Sequence, residues 1–243
     1  MVKKVLIDRG GHVTATALRC HGIGLSTAQL LVDRGAQVLV TGRSPGPIHT
    51  AQEQLGPQAH LVAYALFGLG TQVELIFVNA RYAALEPLNA VTEDSFRRTF
   101  DTNVFGPFFA AQKLTPILKD GGAMVFTTSV VNQLGIPGMA TYATAKAAVQ
   151  SLVQTLAAEL MGCRIRVNAV SPGFVRTPTM GVANTSADDR TTFVGEGVAL
   201  TRLERIGNPE EIARAVVFLG FEATFTTGSQ VVLDGGLESL QVH

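Results

Sequence analysis

Short apolar runs alternate along the chain with stretches of helical period. Residues 4–7, 37–41, 74–79, 122–128, 164–170 and 230–233 read as strands, and residues 24–33, 93–119, 141–162 and 209–219 as helices. Alternation of this kind predicts a parallel sheet covered by helices on both faces, the doubly wound α/β class. One helix start is marked by Asn208-Pro209-Glu210-Glu211, a cap residue followed by proline at the first helical position and two acids at the positive helix end. Residues 178–200 are polar and weakly patterned, and read equally as a mobile segment over a site or as an ordinary surface loop.

The third strand poses a geometric problem. If it runs from His60 to Leu66, about seven residues separate it from the next strand at Glu74. In a sheet ordered 3-2-1-4 that connection crosses about 14 Å and returns along a strand of about 17 Å, a straight line of about 22 Å. Seven extended residues reach at most about 25 Å. The strand must therefore be shortened, displaced or missing, without the usual crossover helix.

At 243 residues the chain is long enough for one large domain, residues 1–243, and nothing in it reads as a linker. The 19 basic and 19 acidic residues balance, so no global field argues for nucleic acid or an anionic membrane surface. No apolar stretch approaches the roughly 20 residues of a membrane span. Val5-Leu6-Ile7 is too brief for the apolar part of a signal peptide. Cys20 and Cys163 form no metal-spaced cluster, so no metal site is expected, and two thiols suit a reducing compartment, with the cytoplasm as the default.

Candidate chemistry concentrates in the second half. Residues 123–129 read as a buried strand ending at Ser129, which delivers a hydroxyl at a strand's carboxyl end, where open α/β sheets bind ligands. Tyr142 and Lys146 stand four apart in a helical stretch free of Pro and Gly, so a phenol and an ammonium share one face. To these are added Asn103 in a Thr-Asn-Val-Phe-Gly context, Asn79-Ala80 after a strand, Pro172-Gly173 followed by Thr177, Arg205-Ile206-Gly207-Asn208-Pro209-Glu210-Glu211, and Asp234-Gly235-Gly236. In this order the pattern resembles the short-chain dehydrogenase/reductase family, from about Val5 to Leu237.

The resemblance implies a Rossmann-like fold and a nicotinamide-dependent oxidoreductase acting on a carbonyl or alcohol. It implies Tyr142 as general acid and base, Lys146 favouring the phenolate and binding the nicotinamide ribose, Ser129 polarising the substrate oxygen, and Asn103 holding a water that links Lys146 to solvent. Pro172 and Gly173 would cover the nicotinamide, with Val175 backbone groups and the Thr177 hydroxyl near its carboxamide. Gly22, Ile23, Gly24, Asn79 and Ala80 would complete the coenzyme site. At the end of the second strand Gly42 stands where an NAD enzyme carries an acid, and Arg43 and Ser44 follow, which favours NADP over NAD. The family also implies a homotetramer or dimer with the helices of 93–119 and 141–162 at the interface. The substrate pocket is expected to be lined by Val130, Val131, Leu134, Ile136, Met139 and parts of 178–200.

Three departures fall in the coenzyme half. Val5-Leu6-Ile7 is followed by Asp8-Arg9-Gly10-Gly11, and ten residues separate Gly11 from Gly22, against two in the family. Alternatively, aligned without a gap from Gly22, the family's Thr-Gly becomes Ala17-Leu18. The acid that follows the third strand is unmatched at Ala63-Tyr64-Ala65. Arg81 replaces the last glycine of Asn-Asn-Ala-Gly, where glycine lets the backbone approach the coenzyme. Two other readings therefore compete with a carbonyl reductase: a relative without coenzyme that does non-redox chemistry such as dehalogenation, and a regulatory binding protein on the same fold. Lys146 counts against the first and the complete set Asn103, Ser129, Tyr142 and Lys146 against the second.

Overall fold

The computed structural model describes residues 13–17, 21–41, 45–62, 72–177 and 187–240. Its strands are β1 Val13–Ala17, β2 Gln37–Thr41, β3 Ala59–Val62, β4 Val73–Val78, β5 Leu118–Thr127, β6 Arg166–Pro172 and β7 Gln230–Leu233. All join one parallel sheet in the order β3-β2-β1-β4-β5-β6-β7. The helices are α1 Ile23–Asp33, α2 Pro45–Leu55, α3 Glu93–Phe100, α4 Gly106–Leu114, α5 Ala140–Glu159, α6 Ala187–Leu200 and α7 Pro209–Val217.

Strand side chains alternate between two apolar layers, because successive residues of a strand point to opposite faces. Val38, Val40, Leu75, Phe77 and Val125 pack with Leu31 of α1, Leu55 of α2 and Ile212 and Val216 of α7. Their neighbours Leu39, Ile76, Val78, Met124 and Phe126 pack on the other face with Leu114 of α4 and Val149 and Val153 of α5. Strands β2, β4 and β5 are thus apolar on both sides, the burial that the continuous runs of the sequence imply. The expected doubly wound α/β fold is the fold found.

The structure corrects several element boundaries. The central place next to β2 and β4 is taken by β1 at Val13–Ala17, while the strand expected at Lys4–Ile7 lies outside the described residues. The later glycine triplet is therefore the one that follows the first strand. β3 is described over the four residues Ala59–Val62, and the rest of the expected strand, residues 63–66, lies outside the described residues. Residues 63–71, where a crossover helix would fall, lie outside the described residues.

The single helix expected over 93–119 is two helices joined by a π turn at Asp101–Phe105, and β5 begins at Leu118. Between the pairs Val73 with Leu118 and Leu75 with Ala123 the register of β4 and β5 shifts, so the Gly121-Gly122 turn is a bulge inside β5. β6 starts at Arg166 because Arg164 has φ 56°, a left-handed turn residue that cannot begin a strand. Helix α2 and, within 178–200, helix α6 were not expected. Residues 178–186 lie outside the described residues. Among the described residues no helix is long and apolar enough to cross a membrane, and no cluster of His, Cys, Asp or Glu is placed to hold a metal.

Candidate active site

Strand β5 ends at Thr127. Thr128 then anchors the chain to β6, donating from both its N–H (2.9 Å) and its Oγ1 (3.0 Å) to the Val170 carbonyl. Ser129 follows in extended conformation and starts the short 3-10 turn Val130–Asn132. Its hydroxyl is thereby carried past the carboxyl end of the sheet. Tyr142 and Lys146 lie one turn apart on α5, both buried.

Burying an ammonium is costly unless its donors are satisfied. Lys146 Nζ donates to the Thr127 carbonyl at 2.8 Å and the Ala80 carbonyl at 3.1 Å, and stands 5.7 Å from the centre of the Tyr142 ring. The lysine thus ties the ends of β4 and β5 together behind the phenol. Asn79, also buried, and Ala80 occupy the end of β4, next to that tie.

Asn103 sits in the π turn, fully buried. Its Oδ1 accepts from the Tyr82 N–H at 3.0 Å, and its Nδ2 donates to the carbonyls of Tyr82 (2.7 Å) and Thr99 (2.9 Å). Both Nδ2 donors and one acceptor position of Oδ1 are thus engaged in fixing the backbone after β4.

Ser129 and Tyr142 open onto one small cavity of about 50 Å³. Its apolar wall includes the expected Val130, Val131, Ile136 and Met139, while Leu134 is not part of it. Phe174 and Phe193 of α6 close one side, their rings 5.0 Å apart and edge to face. Phe193 belongs to the stretch 178–200 that is expected to contribute to this wall, whereas Phe174, Ala83 and Leu237 were not expected in it, since none carries chemistry or spacing that marks it. Arg81 also lines the cavity. The sequence marks it only as a departure from glycine.

Among the candidate coenzyme groups, Gly173 and Val175 also line this cavity, while Gly22, Ile23 and Gly24 do not. Gly22 caps α1 with φ 60° and ψ −138°, a conformation open essentially to glycine alone. No side chain caps this helix and no acid stands in its first turn, so its N–H groups and positive end suit a diphosphate. Ile23 and Gly24 begin the helix, and both are buried.

At the other end, Pro172 closes β6 and a Cβ on Gly173 would lie 2.9 Å from Cα of Asp234. The Pro-Gly and Asp-Gly-Gly motifs are therefore in contact, and the glycine is needed for that approach. The following segment pairs with the loop before α7. Gly207 N–H donates to the Phe174 carbonyl, Arg176 N–H donates to the Gly207 carbonyl, both at 2.8 Å, and Val175 bridges to Gly207. Arg205 holds that loop by a two-pronged bond to Glu211 (2.9 and 2.7 Å), whose carboxylate also accepts the Asn208 N–H at 2.8 Å. The Arg205 hydrogen bond first, then that N–H, hold the Glu211 carboxyl down to about 2.

At the end of the segment the Thr177 Oγ1 is buried without a hydrogen-bond partner. An orphaned hydroxyl there and an uncapped helix at Gly22 are the groups that a nicotinamide dinucleotide would satisfy, so the residues present fit it. Gly42, Arg43 and Ser44, on which the choice of NADP rests, lie outside the described residues.

The chain is similar to known proteins over nearly its whole length. The family model described as Enoyl-(Acyl carrier protein) reductase matches residues 59–238. A cyclohexanol dehydrogenase of Acinetobacter sp. (strain SE19) is 31% identical over 243 residues, covering 90% of this chain and 91% of that protein. An L-fucose dehydrogenase of Mus musculus is 29% identical over 250 residues, covering 97% and 88%. A solved structure of a short chain dehydrogenase/reductase family protein, 33% identical, superposes with a TM-score of 0.82 over 94% of this chain and 98% of that one. These matches agree with the strand order and with the ordered motifs from Gly22 to Asp234: the chain belongs to the short-chain dehydrogenase/reductase family, whose members are oxidoreductases that use nicotinamide coenzymes.

Proposed function

We propose that the protein is an NADP(H)-dependent carbonyl reductase or alcohol dehydrogenase. The observation that carries this reading is the shared cavity of Ser129 and Tyr142 with Lys146 anchored directly behind the phenol. Tyr142 gives its proton to the substrate oxygen in reduction and takes it back in oxidation. Ser129 donates a hydrogen bond to the same oxygen and stabilises the charge that develops there. Lys146, fixed by two carbonyls, holds its positive charge 5.7 Å from the centre of the phenol ring. Asn103 positions the chain between Ala80 and Tyr82 against which the lysine is held. Gly22, Ile23 and Gly24 would hold the coenzyme's phosphates, Arg43 and Ser44 its 2′-phosphate, Asn79, Ala80 and Lys146 its ribose side, and Pro172, Gly173, Val175 and Thr177 its nicotinamide. The bound coenzyme supplies or accepts the hydride.

Two further properties go with this reading. Exposed Phe96, Phe105, Phe108 and Phe109 on α3, the π turn and α4 form an aromatic surface suited to pairing with a second copy, in a dimer or tetramer. The free, exposed thiol of Cys163 fits a reducing compartment such as the cytoplasm.

The test is to titrate NADPH and NADH against the protein and then follow loss of reduced-coenzyme absorbance with a panel of aldehydes and ketones. Tight NADPH binding and turnover are expected. Absence of binding to either coenzyme sinks the proposal, and binding without turnover points instead to a regulatory protein.

A further inference from the structure

We propose that Phe193 sets the size of carbonyl compound the site accepts, and that Gly197 is the positioning residue that places its ring. The inference rests on the reductase reading above. Phe193 and Gly197 stand four apart on α6 and share one face of the helix. Both meet Phe174: the two rings lie 5.0 Å apart, edge to face, and a Cβ on Gly197 would fall 2.8 Å from Cγ and Cδ1 of Phe174 and 3.0 Å from Cγ2 of Ile206. Carbon atoms in contact stand roughly 3.5–4.0 Å apart, so only glycine lets α6 come this close. Gly195 lies two residues earlier on the same helix, and among the described residues nothing falls within 4 Å of a Cβ added there. Glycine inside a helix costs stability relative to alanine, and at Gly197 the close approach to Phe174 accounts for its presence.

This socket is held from both sides. The backbone under Phe174 is fixed: its carbonyl accepts the Gly207 N–H, and the Arg176 N–H donates to the Gly207 carbonyl, both at 2.8 Å. The carboxyl end of α6 is fixed as well. Thr201 donates from its N–H (3.1 Å) and its Oγ1 (2.6 Å) to the Gly197 carbonyl, and Leu203 N–H donates to the Gly235 carbonyl at 3.1 Å. A Cβ on Gly235 would lie 2.5 Å from Cγ2 of Thr201, so the Asp234-Gly235-Gly236 turn packs directly on that end. A methyl added at Gly197 therefore displaces the half of α6 that carries Phe193 and draws its ring away from Phe174. Phe193 lines the cavity of Ser129 and Tyr142 and is none of the residues assigned to the coenzyme. Its ring is thus a wall for the substrate's substituents, which admits compact carbonyl compounds and obstructs those with an aryl group. Because Gly173 and Val175 line the same cavity, coenzyme affinity is read separately from selectivity.

The experiment measures kcat/KM for 2-butanone and for acetophenone, together with NADPH affinity, in the wild type, Phe193→Ala, Gly197→Ala, Gly195→Ala and the double variant Phe193→Ala with Gly197→Ala. The wild type is expected to prefer 2-butanone. Phe193→Ala should raise the ratio of acetophenone to butanone by about 10- to 100-fold, through KM, with NADPH affinity within about threefold. Gly197→Ala should move the ratio the same way by at least about fivefold and Gly195→Ala by less than about twofold, and Gly197→Ala should add nothing once Phe193 is alanine. A ratio unmoved by Phe193→Ala overturns the proposal, as do a matching loss of NADPH affinity, equal shifts from the two glycine variants, or effects that multiply in the double variant. Should Gly197→Ala not fold, the Phe193→Ala ratio decides. If the wild type reduces no carbonyl compound, the reductase reading fails by itself, and hydrogen exchange then tests the socket. Faster exchange of the α6 amides in Gly197→Ala but not in Gly195→Ala upholds it, and equal exchange overturns it.

Discussion

The side-chain amide of Asn103 grips Tyr82 on both sides, accepting its N–H and donating to its carbonyl, with the remaining donor spent on Thr99. The contact joins the π turn between α3 and α4 to the chain leaving β4. It thereby fixes the Ala80–Tyr82 segment against which Lys146 is anchored.

Replacing Asn103 with Ala leaves three buried or part-buried backbone groups without this partner. Asn103→Ala should lower stability by about 3 kcal/mol. Urea unfolding checks this, and a midpoint equal to wild type would show that the amide is not what fixes the segment.

Lys146 is a buried cation whose removal also removes its desolvation cost. Lys146→Met should therefore keep the fold within about 2 kcal/mol of wild type, while turnover falls by at least about 100-fold. Thermal unfolding and coenzyme absorbance read the two effects separately, and near-normal turnover would contradict the lysine's assigned part.

Gly22→Ala forces a side chain onto φ 60° and ψ −138° at the start of α1. A loss of about 1–3 kcal/mol is expected, with weaker coenzyme binding. Unchanged stability and affinity would show that this backbone is free to adopt another shape.

The Glu211 carboxyl, lowered from 4.5 to about 2 by Arg205 and the Asn208 N–H, makes a pH-dependent contribution. Because its folded value is depressed, the contribution is complete above about pH 4.5 and disappears as pH falls through about 2. The melting-temperature advantage of wild type over Glu211→Gln should be constant near neutrality and shrink between these limits. A constant gap down to pH 2 would mean that the ion pair does not anchor the loop under Phe174 and Val175.

Much of the fold was legible because burial on both faces leaves apolar runs that resist other readings. β2 at Gln37–Thr41 and β7 at Gln230–Leu233 fall where the pattern puts them, as does the start of α7 at Pro209. β1 was not legible: Val-Thr-Ala-Thr-Ala is a weaker signal than Val5-Leu6-Ile7, and its place follows from pairing with β2 and β4, which sequence does not display. The π turn is hidden because Asp101–Phe105 has ordinary helical composition. In the site, Ser129, Tyr142 and Lys146 stand out through their chemistry and spacing. Phe193 falls in the stretch 178–200 expected to line the pocket, whereas Phe174 joins the wall only through its packing on Phe193, and Arg81, marked in the sequence as a departure from glycine, is found at the cavity.

The most direct measurement is the turnover of Tyr142→Phe against its NADPH affinity. Removing one hydroxyl from the wall of the cavity should leave the dissociation constant for NADPH within about twofold and cut kcat for carbonyl reduction by at least about 100-fold. A Tyr142→Phe protein that binds NADPH and reduces its substrate at the wild-type rate would contradict the account.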